Sequence, residues 1–270
     1  MATRAPAGPL EHPAARVVRW VGRRGAEPIR NAGQAGLLVA RVLRALVTGR
    51  VGLREIAVQV HWMGVESLVL VLVTSVLSGI VTSQQGGYQF SGGVPLYVLG
   101  SVVASSIVLE LGPIMTAIVL IGRVGARITA ELGSMRVSEQ LDAMYALGRD
   151  PIRVFAAPRV AAGVIVVPLL VGVSDAVGVL AGMLAAESTL GLGTETFLYG
   201  VRLYWHSWDL FYSLAKGAAF GFVIPVIALQ MGFRASGGAE GVGRATTRSV
   251  MAMTLAVLIL DSLFPPLLLD

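Results

Sequence analysis

The sequence predicts an all-α polytopic membrane protein with five transmembrane helices and an amphipathic helix ahead of them at the membrane interface. Of its 270 residues, 55% are hydrophobic and 14% are charged, and the mean hydropathy is +0.75. A typical soluble domain carries about 25% charged residues. Five long apolar stretches and an uneven distribution of arginine along the chain point to the same class.

Five stretches have the length that a membrane-spanning helix requires. Such a helix needs about 20 mostly apolar residues to cross about 30 Å of hydrocarbon, because every backbone amide must be paired within the segment. The stretches are residues 60–81, 94–121, 160–186, 210–233 and 250–269. We expect them to form one membrane domain, residues 56–270, with no soluble domain between them.

The arginines orient the predicted bundle. Of 21 basic residues, ten precede or include Arg54, six lie in residues 123–159 and three lie in residues 234–248. Short cytoplasmic segments retain positive charge, so these three regions are predicted to be cytoplasmic. The N-terminus is then cytoplasmic, and the C-terminus lies on the opposite side after an odd number of crossings.

The N-terminal region divides into a tail and a helix. Residues 1–28 are rich in Ala, Pro and Arg and lack an apolar signal core, which predicts a disordered cytoplasmic tail. Within residues 29–55, a helix over 34–50 would separate an apolar face from a face with Arg41, Arg44 and Thr48. This pattern predicts an interfacial amphipathic helix, with packing on a partner protein as the alternative. The predicted apolar face consists of Leu38, Val39, Val42, Leu43 and Leu46.

Ionisable residues inside the apolar stretches are candidates for function, and four are singled out: Glu110, Asp175, Lys216 and Asp261. Each would cost about 2.5 to 3.5 kcal/mol if it faced lipid at the centre of a helix. We therefore expect them to face a cavity, to pair, or to be neutralised. Lys216 is predicted to pair with Glu110 or Asp261, and Asp175 to be paired or protonated and hydrogen-bonded. The alternative is that these groups only hold helices together.

Several functional classes are excluded by residue type. The chain has no cysteine, and its three histidines are scattered, which excludes thiolate chemistry and gives no metal-ligand spacing. Its single lysine, Lys216, is not in a G-x-x-x-x-G-K-[ST] loop, so the chain itself is not a P-loop ATPase. Membrane topology explains the basic excess better than nucleic-acid binding, and no cofactor is expected in this chain.

A short amphipathic helix is predicted in the cytoplasmic segment, at about residues 135–148. The expected apolar face, Val137, Leu141, Met144 and Tyr145, follows helical spacing, whereas Glu139, Gln140 and Asp142 precede or interleave with it. Gly148 and Asp150-Pro151 end the helix. Acidic residues on the polar face favour a surface that binds another protein over a helix that only lies on the membrane.

One long motif resembles a known family. The sequence ELGPIMTAIVLIGRVGARITAELGSMRVSEQLDAMYALGRDPIRVFAAPR, residues 110–159, is similar to the signature of the MlaE (YrbE) permease family of ABC lipid transporters. The LAKG motif at residues 214–217 and the segment at residues 243–261 agree, and the resemblance covers about residues 60–269. By motif position, Glu110, Lys216 and Asp261 match the intramembrane charged residues of that family, whereas Asp175 matches none.

The resemblance implies a permease that pairs with a second copy of itself and with two cytoplasmic ATPase subunits, which bind ATP and Mg²⁺. It also implies a ring of MCE-domain proteins on the far side, in a bacterial inner membrane, and brings a small STAS-type subunit into consideration. The helix at about residues 138–147 would be the coupling helix. Members of the family often have arginine where this chain has Leu109, which would leave Glu110 more dependent on Lys216 or more often protonated.

The turn formed by Gln84, Gln85 and Tyr88 resembles the first outer loop of the family and is a candidate contact for lipid or the MCE ring. The leading hypothesis is therefore the membrane subunit of an ABC transporter for phospholipid or a related lipid. A secondary transporter driven by an ion gradient through its buried carboxylates is the alternative. A lipid-modifying membrane enzyme ranks last, because no nucleophile, base or metal constellation is present.

Overall fold

The structure, a computed structural model, describes residues 33–48, 51–90 and 94–268. Within these ranges the chain forms helices and no strand. The helices are α1 (residues 33–47), α2 (Leu53–Gln89), α3 (Val98–Val137), α4 (Gln140–Ala146), α5 (Ile152–Leu190), α6 (Thr194–Tyr204), α7 (Ser207–Phe233) and α8 (Gly238–Leu268). The tail predicted over residues 1–28 lies outside the described residues.

Five helices, α2, α3, α5, α7 and α8, are long and apolar enough to cross a membrane, which confirms the predicted number. Each is longer than the apolar stretch that predicted it, because a helix continues through polar residues as long as its backbone remains paired. At 37 residues, α2 is about 55 Å long, well beyond the hydrocarbon thickness. Since α5 connects α4 to α6, these two short helices lie at opposite ends of the bundle, here called the α4 end and the α6 end.

Glycines set the closest helix crossings. A Cβ on Gly79 of α2 would lie 2.0 Å from the carbonyl oxygen of Gly178 on α5, and one on Gly163 of α5 would lie 2.2 Å from that of Gly221 on α7. No larger residue fits these crossings without moving the backbones apart. The small-residue patterns at Gly178-Gly182 and Gly217-Gly221 thus bring α5 against both of its main neighbours.

The first helix packs into the bundle with a narrower face than the sequence predicts. Leu38, Val42 and Ala45 are buried in the main hydrophobic core, with Val39 and Leu46 partly buried beside them. Leu43 was expected on the same face, but it is 47% exposed. The buried stripe follows i, i+4 and i+7, which places Leu43 to one side of it.

The predicted outer turn with Gln84, Gln85 and Tyr88 is wrong in its local structure, because α2 remains helical to Gln89. Its two glycines do not end the helix; they let α2 approach its neighbours. A Cβ on Gly86 would lie 2.6 Å from Leu99 Cδ1, and one on Gly87 would lie 2.3 Å from Leu190 Cδ1. The polar side chains at positions 84, 85 and 88 are therefore presented from a helix end.

The sequence did not predict α6, which lies in the segment between the third and fourth spans. It buries Phe197 and Gly200, and a Cβ on Gly200 would lie 1.7 Å from the Tyr97 carbonyl oxygen. Tyr199, on the exposed side, stacks edge-on against Tyr97 with ring centroids 5.6 Å apart. The helix thus lies across the start of α3 and closes that end of the bundle.

Candidate functional site

Lys216 is the centre of a charged cluster within the bundle, here called the Lys216 cluster: Lys216, Glu110 and Asp261. Its side chain is fully buried, and Nζ lies 2.7 Å from Glu110 Oε2 and 2.7 Å from Asp261 Oδ1. The three residues come from α7, α3 and α8. The sequence predicted a pairing with either carboxylate, and the structure brings both to the same ammonium group. Two carboxylates offset the cost of burying one cation.

A backbone carbonyl completes the coordination of the ammonium group. Pro113 has no N–H to donate to the carbonyl four residues earlier, which is that of Leu109. Lys216 Nζ donates to this oxygen at 3.1 Å. The proline of the E-L-G-P motif thus provides an acceptor for the lysine, and the backbone at Leu109 contributes although its side chain is apolar.

Glu110 differs from its two partners in exposure. Its side chain is 48% exposed, against 9% for Asp261 and none for Lys216. It lies in a wide turn of α3, Ile107–Leu111, in which the Gly112 N–H donates to the Ile107 carbonyl. Such π-helical turns interrupt the regular spacing of a helix and are frequent at functional sites. Glu110 is therefore the member of the cluster that groups outside this chain can reach.

Asp175, on α5, forms a separate polar contact with α7, one helical turn from Lys216. Its Oδ2 accepts a 2.6 Å hydrogen bond from Ser213 Oγ, three residues before Lys216. A hydrogen bond to a neighbouring helix is one of the arrangements considered for Asp175 from the sequence. Its Oδ1 packs against Gly112, where a Cβ would lie only 1.8 Å away. The glycine of E-L-G-P therefore makes room for a buried carboxyl group on α5.

The sequence analysis missed a second set of charges, here called the arginine layer: Glu66, Arg123, Glu131 and Arg159. Arg123 on α3 donates to Glu66 Oε2 and Ser67 Oγ on α2, both at 2.6 Å. Arg159 at the start of α5 donates to Glu131 Oε1 on α3 at 2.7 Å. Glu66 lies inside the predicted first span, and its charge there was the signal that could have found it.

The structure has a short helix, α4, over Gln140–Ala146, within the range of about 135–148 that the sequence predicts, and its apolar residues do not form one outward surface. Leu141 is 2% exposed and packs within this chain, so it is not available to a partner. Val137 belongs to the end of α3, and Glu139, with φ of 59°, separates the two helices. Glu139, Gln140, Asp142 and Tyr145 are exposed, and Met144 is half-buried. Partial burial raises the pKa of the Tyr145 phenol, and the Asp150 carboxylate adds to that rise.

Five helices that are long and apolar enough to cross a membrane, packed around a buried charge cluster, define a multi-pass membrane protein. A sequence model of the Permease MlaE family matches residues 56–266, and the chain belongs to this family. The match covers all five spanning helices, α4 and α6. Membership implies ATPase partners and a second permease copy.

Relatives from distant organisms agree with this assignment. A probable ABC transporter permease protein of Synechocystis sp. is 36% identical over 225 residues, which are 83% of this chain and 86% of the relative. One from Rickettsia felis is 34% identical over 251 residues, 93% of this chain and 97% of the relative. Protein TRIGALACTOSYLDIACYLGLYCEROL 1, chloroplastic, of Arabidopsis thaliana is 33% identical over 227 residues, 84% of this chain and 64% of the relative.

Proposed function

We propose that this chain is the membrane subunit of an ABC transporter that moves phospholipid or a related lipid between the inner membrane and an MCE-protein path across the envelope. Family membership and the lipid in the name of the Arabidopsis relative support the cargo class. The observation that carries the proposal is the half-exposed Glu110 carboxylate, held by a fully buried lysine within an apolar bundle.

This arrangement suits a two-chain lipid. Such a molecule has a large apolar surface and one polar end, so its path needs apolar walls with a few charges at a defined depth. The Lys216 cluster provides that charge, and Glu110 is its reachable part. The cavity itself would lie between two copies of the chain, with Glu110 of each copy on its wall.

The partners follow from the same proposal. Two ATPase subunits would bind ATP and Mg²⁺ and receive α4 as the coupling helix, because this chain has no P-loop lysine. The α4 end would be cytoplasmic, in agreement with the arginines near it, and an MCE-domain ring would meet the α6 end. Gln84, Gln85 and Tyr88, at the α6 end of α2, would be among its contacts. A STAS-type cytoplasmic subunit is a further candidate.

A purification with a tagged chain tests the assembly. We expect a P-loop ATPase and an MCE-domain protein to co-purify in fixed ratio from mildly solubilised membranes, together with phospholipid measured by mass spectrometry. A lone oligomer without an ATPase would contradict the proposal and would favour the gradient-driven transporter.

Reconstituted vesicles test the role of Glu110. Glu110→Gln keeps the shape of the side chain but removes the charge, so we expect ATP-dependent transfer of fluorescent phospholipid to fall about 10-fold or more with folding unchanged. Glu195→Gln on α6 removes one carboxylate from another exposed site and is the matched control. Equal transport by the Glu110→Gln variant and the unmodified chain would remove Glu110 from the lipid path.

A test of the coupling role of α4 requires a substitution at an exposed residue. Leu141→Arg would disturb packing inside the chain, because Leu141 is buried. Gln140→Arg changes an exposed residue of the same helix, and we expect it to abolish ATPase co-purification while the chain still inserts. Gln89→Arg, at the exposed α6 end of α2, is the control and should retain the ATPase. Retention of the ATPase by both variants would contradict the coupling role.

A further inference from the structure

The short helix α6 and the start of α7 expose a group of large aromatic side chains that neither the Lys216 cluster nor the coupling helix uses. One side of α6 is buried against the bundle through Phe197 and Gly200. The exposed aromatic residues that follow along the chain are here called the aromatic face: Tyr199, Tyr204, Trp205, Trp208 and Phe211.

The level of α6 in the bundle is the level at which spanning helices begin and end. Helix α7 begins at Ser207, directly after α6, and Leu268 lies in the last described turn of α8. The indole N–H of Trp208 donates to the Leu268 carbonyl oxygen at 2.8 Å, which joins these two helix ends. Since α6 also lies across the start of α3, three of the five spans begin or end beside it. This position is that of a membrane surface.

The exposed part of α6 is divided into two sectors. Glu195 and Arg202, seven residues apart, lie one above the other on one side of the helix. Tyr199 and Leu203, four residues apart, form the neighbouring sector, and both are exposed. A helix with one packed, one charged and one apolar sector suits the plane of a membrane surface, because the apolar sector can meet acyl chains while the charged sector meets headgroups and water.

The aromatic face continues directly onto a helix that is long and apolar enough to span the membrane. Leu210 and Phe211 are exposed on α7, and Trp208 stacks on Phe211 with ring centroids 4.9 Å apart. Tyrosine and tryptophan concentrate at the headgroup level of a bilayer, because their rings are apolar and their O–H or N–H groups are polar. This continuity favours a lipid surface over a partner protein as the occupant of the aromatic face.

We propose that α6 lies within the surface layer of the lipid bilayer at the α6 end, with Tyr199 and Leu203 against acyl chains and Glu195 and Arg202 among the headgroups. The inference requires only that the long helices span a bilayer, and it is independent of the cargo.

This contact sets the depth of the Lys216 cluster in the membrane. Lys216 follows Ser207 by nine residues, which is about 14 Å along α7. That distance is close to half of the hydrocarbon thickness of about 30 Å. A helix held at the surface immediately before α7 therefore keeps the buried ammonium group near the middle of the bilayer.

Nitroxide spin labels test the position of α6. The chain has no cysteine, so a single cysteine can be introduced without removing any other. Arg202→Cys and Leu203→Cys are neighbouring exposed positions in the two sectors, and Phe211→Cys is the reference on a spanning helix. Each full-length variant is labelled and reconstituted into phosphatidylcholine vesicles. Power-saturation electron paramagnetic resonance then compares collisions with oxygen, which concentrates in the bilayer, and with a water-soluble nickel chelate.

We expect the oxygen-to-nickel collision ratio at Leu203 to exceed that at Arg202 by about 5-fold or more, because only the apolar sector enters the bilayer. The pair Glu195→Cys and Tyr199→Cys repeats the comparison earlier in α6 and should show the same order. Circular dichroism of the labelled variants checks that each keeps the helical content of the unmodified chain.

Two results would overturn the proposal. Equal ratios in the two sectors would place the helix in water, where a partner protein could cover it. Labels at Leu203 and Tyr199 that are shielded from both reagents would place the apolar sector under protein, such as a second copy of the chain. In either case a Phe211 label that collides mainly with oxygen would retain α7 as a spanning helix, so the proposed function would remain standing.

Discussion

The Lys216 cluster and the arginine layer hold charge in the same bundle in opposite ways. In the Lys216 cluster, the cation is fully buried and lies within 2.7 Å of two carboxylates. In the arginine layer, each arginine has one close carboxylate, and the glutamates Glu66 and Glu131 are 46% and 42% exposed. The first arrangement has an excess of negative groups and the second an excess of positive groups once Arg127 beside Glu66 is included.

The two regions also differ in depth. Each region includes a charged residue of α3: Glu110 belongs to the Lys216 cluster and Arg123 to the arginine layer. Arg123 follows Glu110 by thirteen residues, or about 20 Å along the helix. The Lys216 cluster is nearer the α6 end, and the arginine layer is nearer the α4 end. This separation agrees with arginine being retained near a cytoplasmic surface. Lys216 has two close carboxylates, whereas Arg123 and Arg159 each have one.

The two regions share a backbone feature of α3. Glu110 and Arg123 each lie in a wide turn of α3, Ile107–Leu111 and Ile121–Gly125. A π-helical turn shifts the face on which later residues lie. The two turns place Glu110 beside α7 and α8 and Arg123 beside α2. One helix therefore carries both charged regions and continues directly towards α4.

The largest expected effect comes from removing the buried cation. Lys216→Ala leaves the buried Asp261 without its counter-ion, so we expect the free energy of unfolding to fall by about 3–5 kcal/mol. Reversible unfolding in mixed micelles measures it. If Lys216→Ala unfolds no more easily than the unmodified chain, the two-carboxylate description of the Lys216 cluster is incorrect.

A pair of glycine substitutions compares the two wide turns of α3. In Gly112→Ala the new Cβ would meet Asp175 Oδ1 at 1.8 Å, whereas at Gly122 nothing lies within 4 Å. We expect Gly112→Ala to cost about 1–3 kcal/mol by overpacking. Gly122→Ala should leave stability unchanged or raise it by about 0.5–1 kcal/mol, because alanine is the better helix former. Thermal unfolding of both variants checks this, and equal melting temperatures would contradict the packing at Gly112.

The smallest effect is expected when the cation type is exchanged in the arginine layer. Arg159 is buried, and its Nε and Nη1 have no hydrogen-bond partner among the described residues. Arg159→Lys keeps a charge for Glu131 and removes those donors, so stability should change by less than about 1 kcal/mol. Lys216→Arg should cost more, since a larger planar group must fit around a compact ammonium site. The reverse order in unfolding experiments would refute this difference between the regions.

Much of the fold was predictable because membrane insertion acts on local composition. The five spans follow from apolar length alone. The helical end of α2 and the helix α6 were not predictable in this way. Gly86 and Gly87 read as turn residues in sequence, but contacts with Leu99 and Leu190 show that they serve packing instead. The short helix α6 gains its stability from burying Phe197 against other helices.

The site was predictable in its members but not in its geometry. Lys216 is the single lysine, and acids in apolar stretches must be compensated, so the choice of Glu110 and Asp261 followed from electrostatics. That both carboxylates reach one ammonium group, with the Leu109 carbonyl beside it, depends on how α3, α7 and α8 meet. The burial of Leu141 was equally unpredictable, because an apolar residue on a short helix can pack either against a partner protein or into the core of its own chain.

The sequence by itself determined the class of protein, the number of spans, the residues that must be compensated and the family to which the chain belongs. These follow from solvation and from local motifs, both of which act along the chain. Only the tertiary structure decided which carboxylate remains exposed, which residues of α1 and α4 face inward, and that the Glu66–Arg123 and Glu131–Arg159 pairs form. Those depend on distances between helices far apart in sequence, which packing sets.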